Sequence, residues 1–154
     1  MSTKRNRALV ILMVAGEPSG DAHGAELILA MKERNPKVRV VGVGGPKMAA
    51  AGQEQLFDLA AHAVLGLWEV LKKYRQFRGF RNRILDLARR ERPDAVVLID
   101  FSGFNLRISP ALRRDLPGTR LIYYISPQVW ASRASRVKAI QRDIDLLLAI
   151  LPFE

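Results

Sequence analysis

A short run of branched apolar residues that ends abruptly in a carboxylate constrains the fold of this chain more than any other feature. Residues Val96 to Ile99 are all aliphatic, and Asp100 follows them directly. A continuous apolar run without alternating polar residues is typical of a strand buried on both faces of a parallel sheet. Ligands of open α/β folds bind just beyond the carboxyl ends of such strands. We therefore expect Asp100 to lie at a ligand-binding crevice.

The rest of the chain repeats this alternation of a strand with a helix. Strands are predicted at 8–14, 38–43, 95–99, 120–125 and 145–151, with an ambiguous one within 55–59. Helices are predicted at 22–34, 47–51, 66–92 with a break near Gly79, 105–115 and 135–141. Such alternation predicts an α/β fold, a Rossmann-like parallel sheet with helices on both faces. We expect residues 1–154 to form a single domain, since no repeat or linker interrupts them.

The composition excludes several classes of site. With no cysteine, the chain has neither disulfides nor thiolate metal sites, and two histidines, His23 and His62, are too few for a typical zinc site. We therefore expect no metal and no cofactor. The sequence contains no apolar run of membrane-spanning length and no signal-peptide pattern, which predicts a cytosolic protein.

The charge balance points to anionic partners. The 25 Lys and Arg residues exceed the 15 Asp and Glu residues, which gives a formal charge of +10. Such a surplus favours nucleic acid, anionic lipid headgroups or phosphorylated ligands, although a soluble basic surface explains it equally well.

A glycine-rich turn follows the first predicted strand and contains Gly16, Glu17, Ser19, Gly20 and Asp21. Such a turn before a helix can cradle a phosphate with its backbone N–H groups. This one lacks the lysine and hydroxyl of a P-loop, and its two carboxylates would repel a phosphate. A hydroxyl-rich ligand such as a sugar fits better. The alternative is a plain turn in which Ser19 or Asp21 caps the helix.

Two further turns end predicted strands. Gly44 and Gly45 permit a ligand to approach the backbone closely, or they simply make a tight turn, and their spacing misses the dinucleotide-binding fingerprint. Ser126 and Gln128 can form hydrogen bonds and Trp130 can stack on a ligand, unless these residues form a packed corner.

Asp100 itself is a candidate general base that takes a proton from a hydroxyl nucleophile. Its alternative roles are a helix cap or an ion-pair partner for one of the many arginines.

The segment 67–84 combines aromatic and basic residues. Trp68, Leu71, Tyr74 and Phe77 recur at helical spacing on one face, and Arg78 is one of several cations around them. This pattern fits a membrane interface, whereas the alternative is an ordinary amphipathic helix with its aromatics in the core.

Taken together, these stretches resemble the lipid-A-disaccharide synthase family, glycosyltransferases of the GT-B type, over nearly the whole chain from Leu9 to Glu154. The matching stretches are GEPSGD at 16–21, GVGGPKM at 42–48, GLWEVL at 66–71, ID at 99–100, FN at 104–105, YISPQVWA at 124–131 and LPFE at 151–154. No single stretch is decisive, but their order and spacing together are highly specific.

The resemblance implies a reaction and its partners. A UDP-linked diacylglucosamine donor gives its sugar to the 6-hydroxyl of a diacylglucosamine 1-phosphate acceptor, with inversion and release of UDP. Asp100 would be the catalytic base, and the substrates would be bound by Gly16, Glu17, Ser19, Gly20, Asp21, Gly44, Gly45, Asn105, Ser126, Gln128 and Trp130. Trp68, Leu71, Tyr74, Phe77 and Arg78 would contact the anionic inner face of the bacterial inner membrane, and no nucleic acid is expected.

The sequence also departs from the family. Ser102 and Gly103 stand where the family usually has Pro-Asp, which removes a carboxylate, and Ser132 replaces a frequent tryptophan. Family chains continue past residue 154 into a second, UDP-binding domain, so we expect the 154-residue chain alone to be inactive. The remaining alternatives are a stand-alone nucleotide- or RNA-binding α/β module, or half of another UDP-sugar enzyme.

Overall fold

The computed structural model describes residues 7–56, 74–125 and 134–149. Within them, six parallel strands form one sheet in the order β3-β2-β1-β4-β5-β6. The strands β1 to β6 are, in chain order, Val10–Ala15, Arg39–Val43, Gln53–Gln55, Ala95–Ile99, Arg120–Tyr124 and Leu146–Leu148. This is the strand order of a doubly wound Rossmann fold. The predicted fold class is therefore confirmed.

Helices cover both faces of the sheet. The helices α1 to α5 are, in chain order, Pro18–Arg34, Pro46–Ala50, Tyr74–Glu91, Ser102–Asp115 and Ala134–Asp143. One core cluster joins Ile28 of α1 and Met48 of α2 to one face of the sheet. A second cluster joins Ile84 of α3 and Ile108 of α4 to the opposite face.

The strands β1, β2 and β4 each supply side chains to both clusters. In β1, Leu12 and Val14 belong to the cluster under α3 and α4, while Ile11 and Met13 belong to the cluster under α1 and α2. Successive side chains of a strand point to opposite faces, so a strand covered on both sides must be apolar throughout. This requirement is why the central strands read as uninterrupted apolar runs.

The first helix begins earlier than predicted, and its start is built differently. Pro18 is its first helical residue, a position that suits the fixed backbone angle and the missing N–H of proline. Glu17 is the N-cap residue and makes no side-chain cap hydrogen bond. The expectation that Ser19 or Asp21 caps this helix is therefore wrong, because both lie inside it.

The predicted break near Gly79 is also wrong. Helix α3 runs without interruption from Tyr74 to Glu91. An added Cβ atom at Gly79 would meet nothing within 4 Å. A glycine in open space weakens a helix without ending it.

Candidate active site

The carboxyl ends of β1 and β4 form the centre of the site. These strands are neighbours in the sheet, with Ala15 paired to Ile99. The helix that follows β1 packs on one face and the helix that follows β4 packs on the other. Adjacent strands whose helices diverge in this way leave a crevice, which is the usual ligand site of the fold.

Asp100 lies at this crevice, one residue beyond β4, and is half-buried. Its Oδ2 lies 3.5 Å from the hydroxyl of Ser19, in the first turn of α1. Its backbone N–H donates to the carbonyl of Tyr124 at 3.1 Å, which continues the pairing of β4 with β5. The carboxylate therefore faces the start of α1 across the crevice.

The backbone at this point is strained. Asp100 and Phe101 have φ values of 46° and 48°, in the left-handed region that side chains other than glycine rarely adopt. Two such residues in succession cost about 1–3 kcal/mol each and persist only where their surroundings impose them. Strain of this kind clusters at active sites, where it fixes the direction of a side chain.

Asn105 holds this strained turn from inside the protein. Its side chain is fully buried, and its Nδ2 donates to the carbonyl oxygens of Ile99 at 3.2 Å and Asp100 at 2.8 Å. The sequence predicted a substrate-binding residue here. The structure places the Asn105 amide behind Asp100, where it binds backbone.

Tyr123 is the residue that sequence analysis missed. Its ring is fully buried in the core cluster under α4, and its hydroxyl donates to the carbonyl of Asp100 at 2.5 Å. Burial, and secondarily the negative charge of Asp100, raise the pKa of the Tyr123 hydroxyl, so it remains a protonated donor. The sequence signal is a tyrosine within the apolar run of a strand, since a buried hydroxyl needs a partner.

Glu17 adds a second carboxylate at the end of β1. It is half-buried, and burial raises its pKa, with a smaller contribution from the nearby charge of Asp100. Ser19 is exposed beside it. Two carboxylates and a hydroxyl at the mouth of one crevice suit a ligand rich in hydroxyl groups, because carboxylates accept hydrogen bonds from O–H donors.

The predicted glycine Gly16 is needed for close packing, whereas a Cβ atom on Gly20 would make ordinary contacts. A Cβ atom on Gly16 would collide with the ring of Phe101, and one on Gly20 would lie 3.4 Å from the Cβ of Ala15. The ring of Phe101 is stacked in turn on Phe104, with centroids 5.5 Å apart. Gly16 thus lets the aromatic ring support the strained turn.

Asp21 binds backbone groups of the next helix. The side chain is buried, and its carboxylate accepts hydrogen bonds from the backbone N–H groups of Gly45, Lys47 and Met48 at 2.9, 3.1 and 2.9 Å. These are the unpaired donors at the start of α2. Asp21 therefore caps α2 from the neighbouring helix α1.

Gly44 and Gly45 pack against the residues that join α1 to α2. A Cβ atom on Gly45 would come within 2.5 Å of Asp21 Oδ2, and one on Gly44 within 2.5 Å of the Met48 sulfur. Both glycines therefore have a packing reason that is independent of any ligand.

Other predicted site residues fall outside what the structure describes. Ser126, Gln128, Trp130, Trp68 and Leu71 lie in undescribed segments, so their predicted roles remain predictions. Tyr74 and Phe77 belong to the first turn of α3, and the side chain of Arg78 is exposed on that helix.

The described part of the chain offers neither a cluster of metal ligands nor a membrane-spanning helix. Residues 7–56, 74–125 and 134–149 contain no group of three or more potential metal ligands. Among the helices of these same segments, none combines the length and apolar character needed to cross a bilayer.

Comparison with known proteins decides the family. The family model described as lipid-A-disaccharide synthetase matches residues 11–154. The chain belongs to this family. Among curated lipid-A-disaccharide synthases, those of Nitrosococcus oceani, Trichlorobacter lovleyi and Myxococcus xanthus are 44%, 43% and 42% identical over 97%, 94% and 94% of this chain.

The matched region covers most of this chain but only part of each of these synthases. The chain spans 38%, 37% and 37% of the length of these three relatives. Among solved structures, YKL-39 in the presence of chitooligosaccharides is matched at a TM-score of 0.42 and 15% identity, over 90% of this chain and 39% of that one.

Proposed function

We propose that this member of the lipid-A-disaccharide synthase family forms the acceptor-binding half of a glycosyltransferase. The proposed reaction moves diacylglucosamine from a UDP-linked donor to the 6-hydroxyl of diacylglucosamine 1-phosphate, which gives the disaccharide and UDP. The family assignment supports this reaction class. The observation that carries the proposal is the position of Asp100, held at the carboxyl edge of the sheet and facing the start of α1.

The proposed chemistry is a single displacement. The acceptor oxygen bonds to the anomeric carbon while the bond from that carbon to the UDP oxygen breaks, which inverts the centre. The proton of the acceptor hydroxyl passes to the Asp100 carboxylate, a general-base role that typically contributes 10²–10⁴-fold in rate. Glu17 and Ser19, beside Asp100 at the same edge, would accept and donate hydrogen bonds to other hydroxyls of the sugar.

An Asp100→Ala substitution tests this role in a full-length protein that carries residues 1–154. We expect disaccharide formation to fall by about 10²–10⁴-fold, with little change in melting temperature. Asp86→Ala is the matched control, because Asp86 is an exposed aspartate on α3, outside the site. Unchanged turnover in Asp100→Ala would remove this carboxylate from the reaction.

We further propose that the segment 67–84 rests on the anionic inner face of the bacterial inner membrane. Its aromatic residues at helical spacing and the exposed Arg78 and Arg83 support this placement. Vesicles containing anionic lipid should carry the protein upward in a flotation gradient. A variant with Trp68, Leu71, Tyr74 and Phe77 all changed to Ser should stay at the bottom.

The control for this variant is Leu29→Ser, which removes an exposed leucine from α1. We expect it to float like the parent. Failure of the parent to float, together with steeply salt-dependent binding to RNA, would contradict the membrane proposal and favour a nucleic-acid-binding surface.

A further inference from the structure

Tyr123 and Asp100 belong to neighbouring strands and meet at one carbonyl oxygen. Strands β4 and β5 pair with Leu98 opposite Tyr123, so the Tyr123 ring lies one residue pair inside the sheet edge. From there its hydroxyl reaches the carbonyl oxygen of Asp100 at 2.5 Å. The same oxygen accepts from Asn105 Nδ2 at 2.8 Å.

This carbonyl needs partners that the regular elements do not supply. Strand β4 ends at Ile99 and α4 begins at Ser102, so the two left-handed residues between them belong to neither. An unpaired backbone carbonyl that is buried costs free energy comparable to a lost hydrogen bond. Tyr123 and Asn105 supply both donors from the protein interior.

We propose that Tyr123 is a positioning residue for Asp100. The hydroxyl of Tyr123 holds the Asp100 peptide in the left-handed conformation that aims the carboxylate at the crevice. Tyr123 is fully buried, so it acts on the substrate only through Asp100. Phe101, packed against Gly16, supports the other side of the same turn. The inference rests on the function proposed above, because it assigns Tyr123 a role only through a catalytic Asp100.

The Tyr123→Phe substitution isolates this hydroxyl. Phenylalanine fills the same space in the core, and the loss is confined to the hydroxyl, which donates to the Asp100 carbonyl and also interacts with the Asn105 side chain. In the full-length protein we expect kcat to fall about ten-fold, the equivalent of one hydrogen bond. The KM values for the two sugar substrates should stay within about two-fold of the parent, because the change acts on the reacting step and spares substrate binding.

Tyr124→Phe is the matched control. It removes the same hydroxyl from the next residue of β5, whose side chain packs against the opposite core cluster. We expect its kcat and KM to equal those of the parent. A purely structural role for Tyr123 would instead lower the melting temperature and leave kcat per folded molecule unchanged.

Asn105→Leu gives a second test that does not depend on the folding of Tyr123→Phe. Leucine has an outline similar to that of asparagine, and the change removes the amide donor to the Asp100 and Ile99 carbonyls. We therefore expect a loss of kcat at least as large, at constant KM. In an Asp100→Ala background, Tyr123→Phe should cause no further loss.

The outcomes separate the two claims. Full activity of Asp100→Ala would overturn the proposed function. An inactive Asp100→Ala beside Tyr123→Phe and Asn105→Leu variants with the kcat of the parent would overturn the positioning role alone.

Discussion

The hydroxyl of Ser19 lies 3.5 Å from Oδ2 of Asp100, although the two residues are 81 positions apart in the chain. Ser19 stands in the first turn of α1, and Asp100 is the first residue beyond β4. The contact therefore spans the crevice between β1 and β4, whose following helices pack on opposite faces of the sheet. Its length marks a weak hydrogen bond, which an incoming hydroxyl group of a ligand can replace at little cost.

The charge of Asp100 should influence the titration of the Glu17 carboxyl. Burial and, to a smaller extent, the Asp100 charge raise the pKa of Glu17. In Asp100→Asn, the Glu17 pKa should therefore fall towards its ordinary value but stay above it, because burial remains. Carbon-13 NMR of the Glu17 carboxyl across a pH titration measures this shift. An identical Glu17 titration in Asp100→Asn and parent would contradict the coupling.

The raised pKa of Glu17 also determines how this residue affects the free energy of unfolding as pH changes. A carboxyl with a higher pKa in the folded state stabilises the protein fully below its unfolded pKa, and this contribution is lost as pH rises through the folded pKa. Glu17→Gln should therefore increase the free energy of unfolding relative to the parent at pH 7. Urea denaturation at pH 4 and pH 7 should show a smaller gain at the lower pH.

Asp21 should matter more for stability than an ordinary surface acid. Asp21→Ala leaves three backbone N–H groups at the start of α2 without their acceptor. We expect the free energy of unfolding to fall by about 1–3 kcal/mol, as for a lost cap that leaves partly buried donors unpaired. Urea denaturation checks this value. Glu33→Ala, an exposed acid on the same helix, should change stability by less than about 0.5 kcal/mol.

Gly16 and Gly103 should respond oppositely to alanine. A Cβ atom at Gly16 would collide with the Phe101 ring, so Gly16→Ala should cost about 1–3 kcal/mol of stability. Gly103 lies in the first turn of α4 with nothing within 4 Å of an added Cβ, so Gly103→Ala should stabilise by up to about 1 kcal/mol. Thermal unfolding of the two variants measures both signs, and equal shifts would contradict the packing of Phe101 on Gly16.

Asp143 should make stability sensitive to acid. It is buried, accepts a hydrogen bond from Ser109 at 3.2 Å, and has its pKa lowered chiefly by its hydrogen bonds with Arg142. A carboxyl with a lowered pKa stabilises the fold above its unfolded pKa, and this contribution is lost as pH falls through the folded pKa. Asp143→Asn should therefore destabilise at pH 7 and cost less at pH 3. Urea denaturation at both values checks this, and an equal cost at both would contradict it.

The sequence predicted the strands better than the details of the site. Strand β4 begins and ends as expected because a run such as Val96–Ile99 has one stable environment, the centre of a covered sheet. The position of Asp100 followed from this strand. No local signal marks the left-handed pair at 100 and 101, since phenylalanine rarely adopts that conformation.

The roles of Asn105, Asp21 and Tyr123 depend on contacts between distant segments. The family resemblance implied that Asn105 binds substrate, but the turn at Asp100 places its amide behind the carboxylate. From sequence, Asp21 was a candidate cap for its own helix, α1. The packing of α1 against α2 instead directs its carboxylate to the start of α2. The hydroxyl of Tyr123 finds its partner on the neighbouring strand, which no spacing within the sequence reveals.

A structure of the full-length protein bound to the diacylglucosamine 1-phosphate acceptor is the most direct test of the general-base role of Asp100. The general-base role of Asp100 predicts the acceptor 6-hydroxyl oxygen within about 2.6–3.2 Å of a carboxylate oxygen of Asp100, on the side that faces Ser19. An acceptor bound with that hydroxyl beyond reach of Asp100, and with no bridging water, would contradict it.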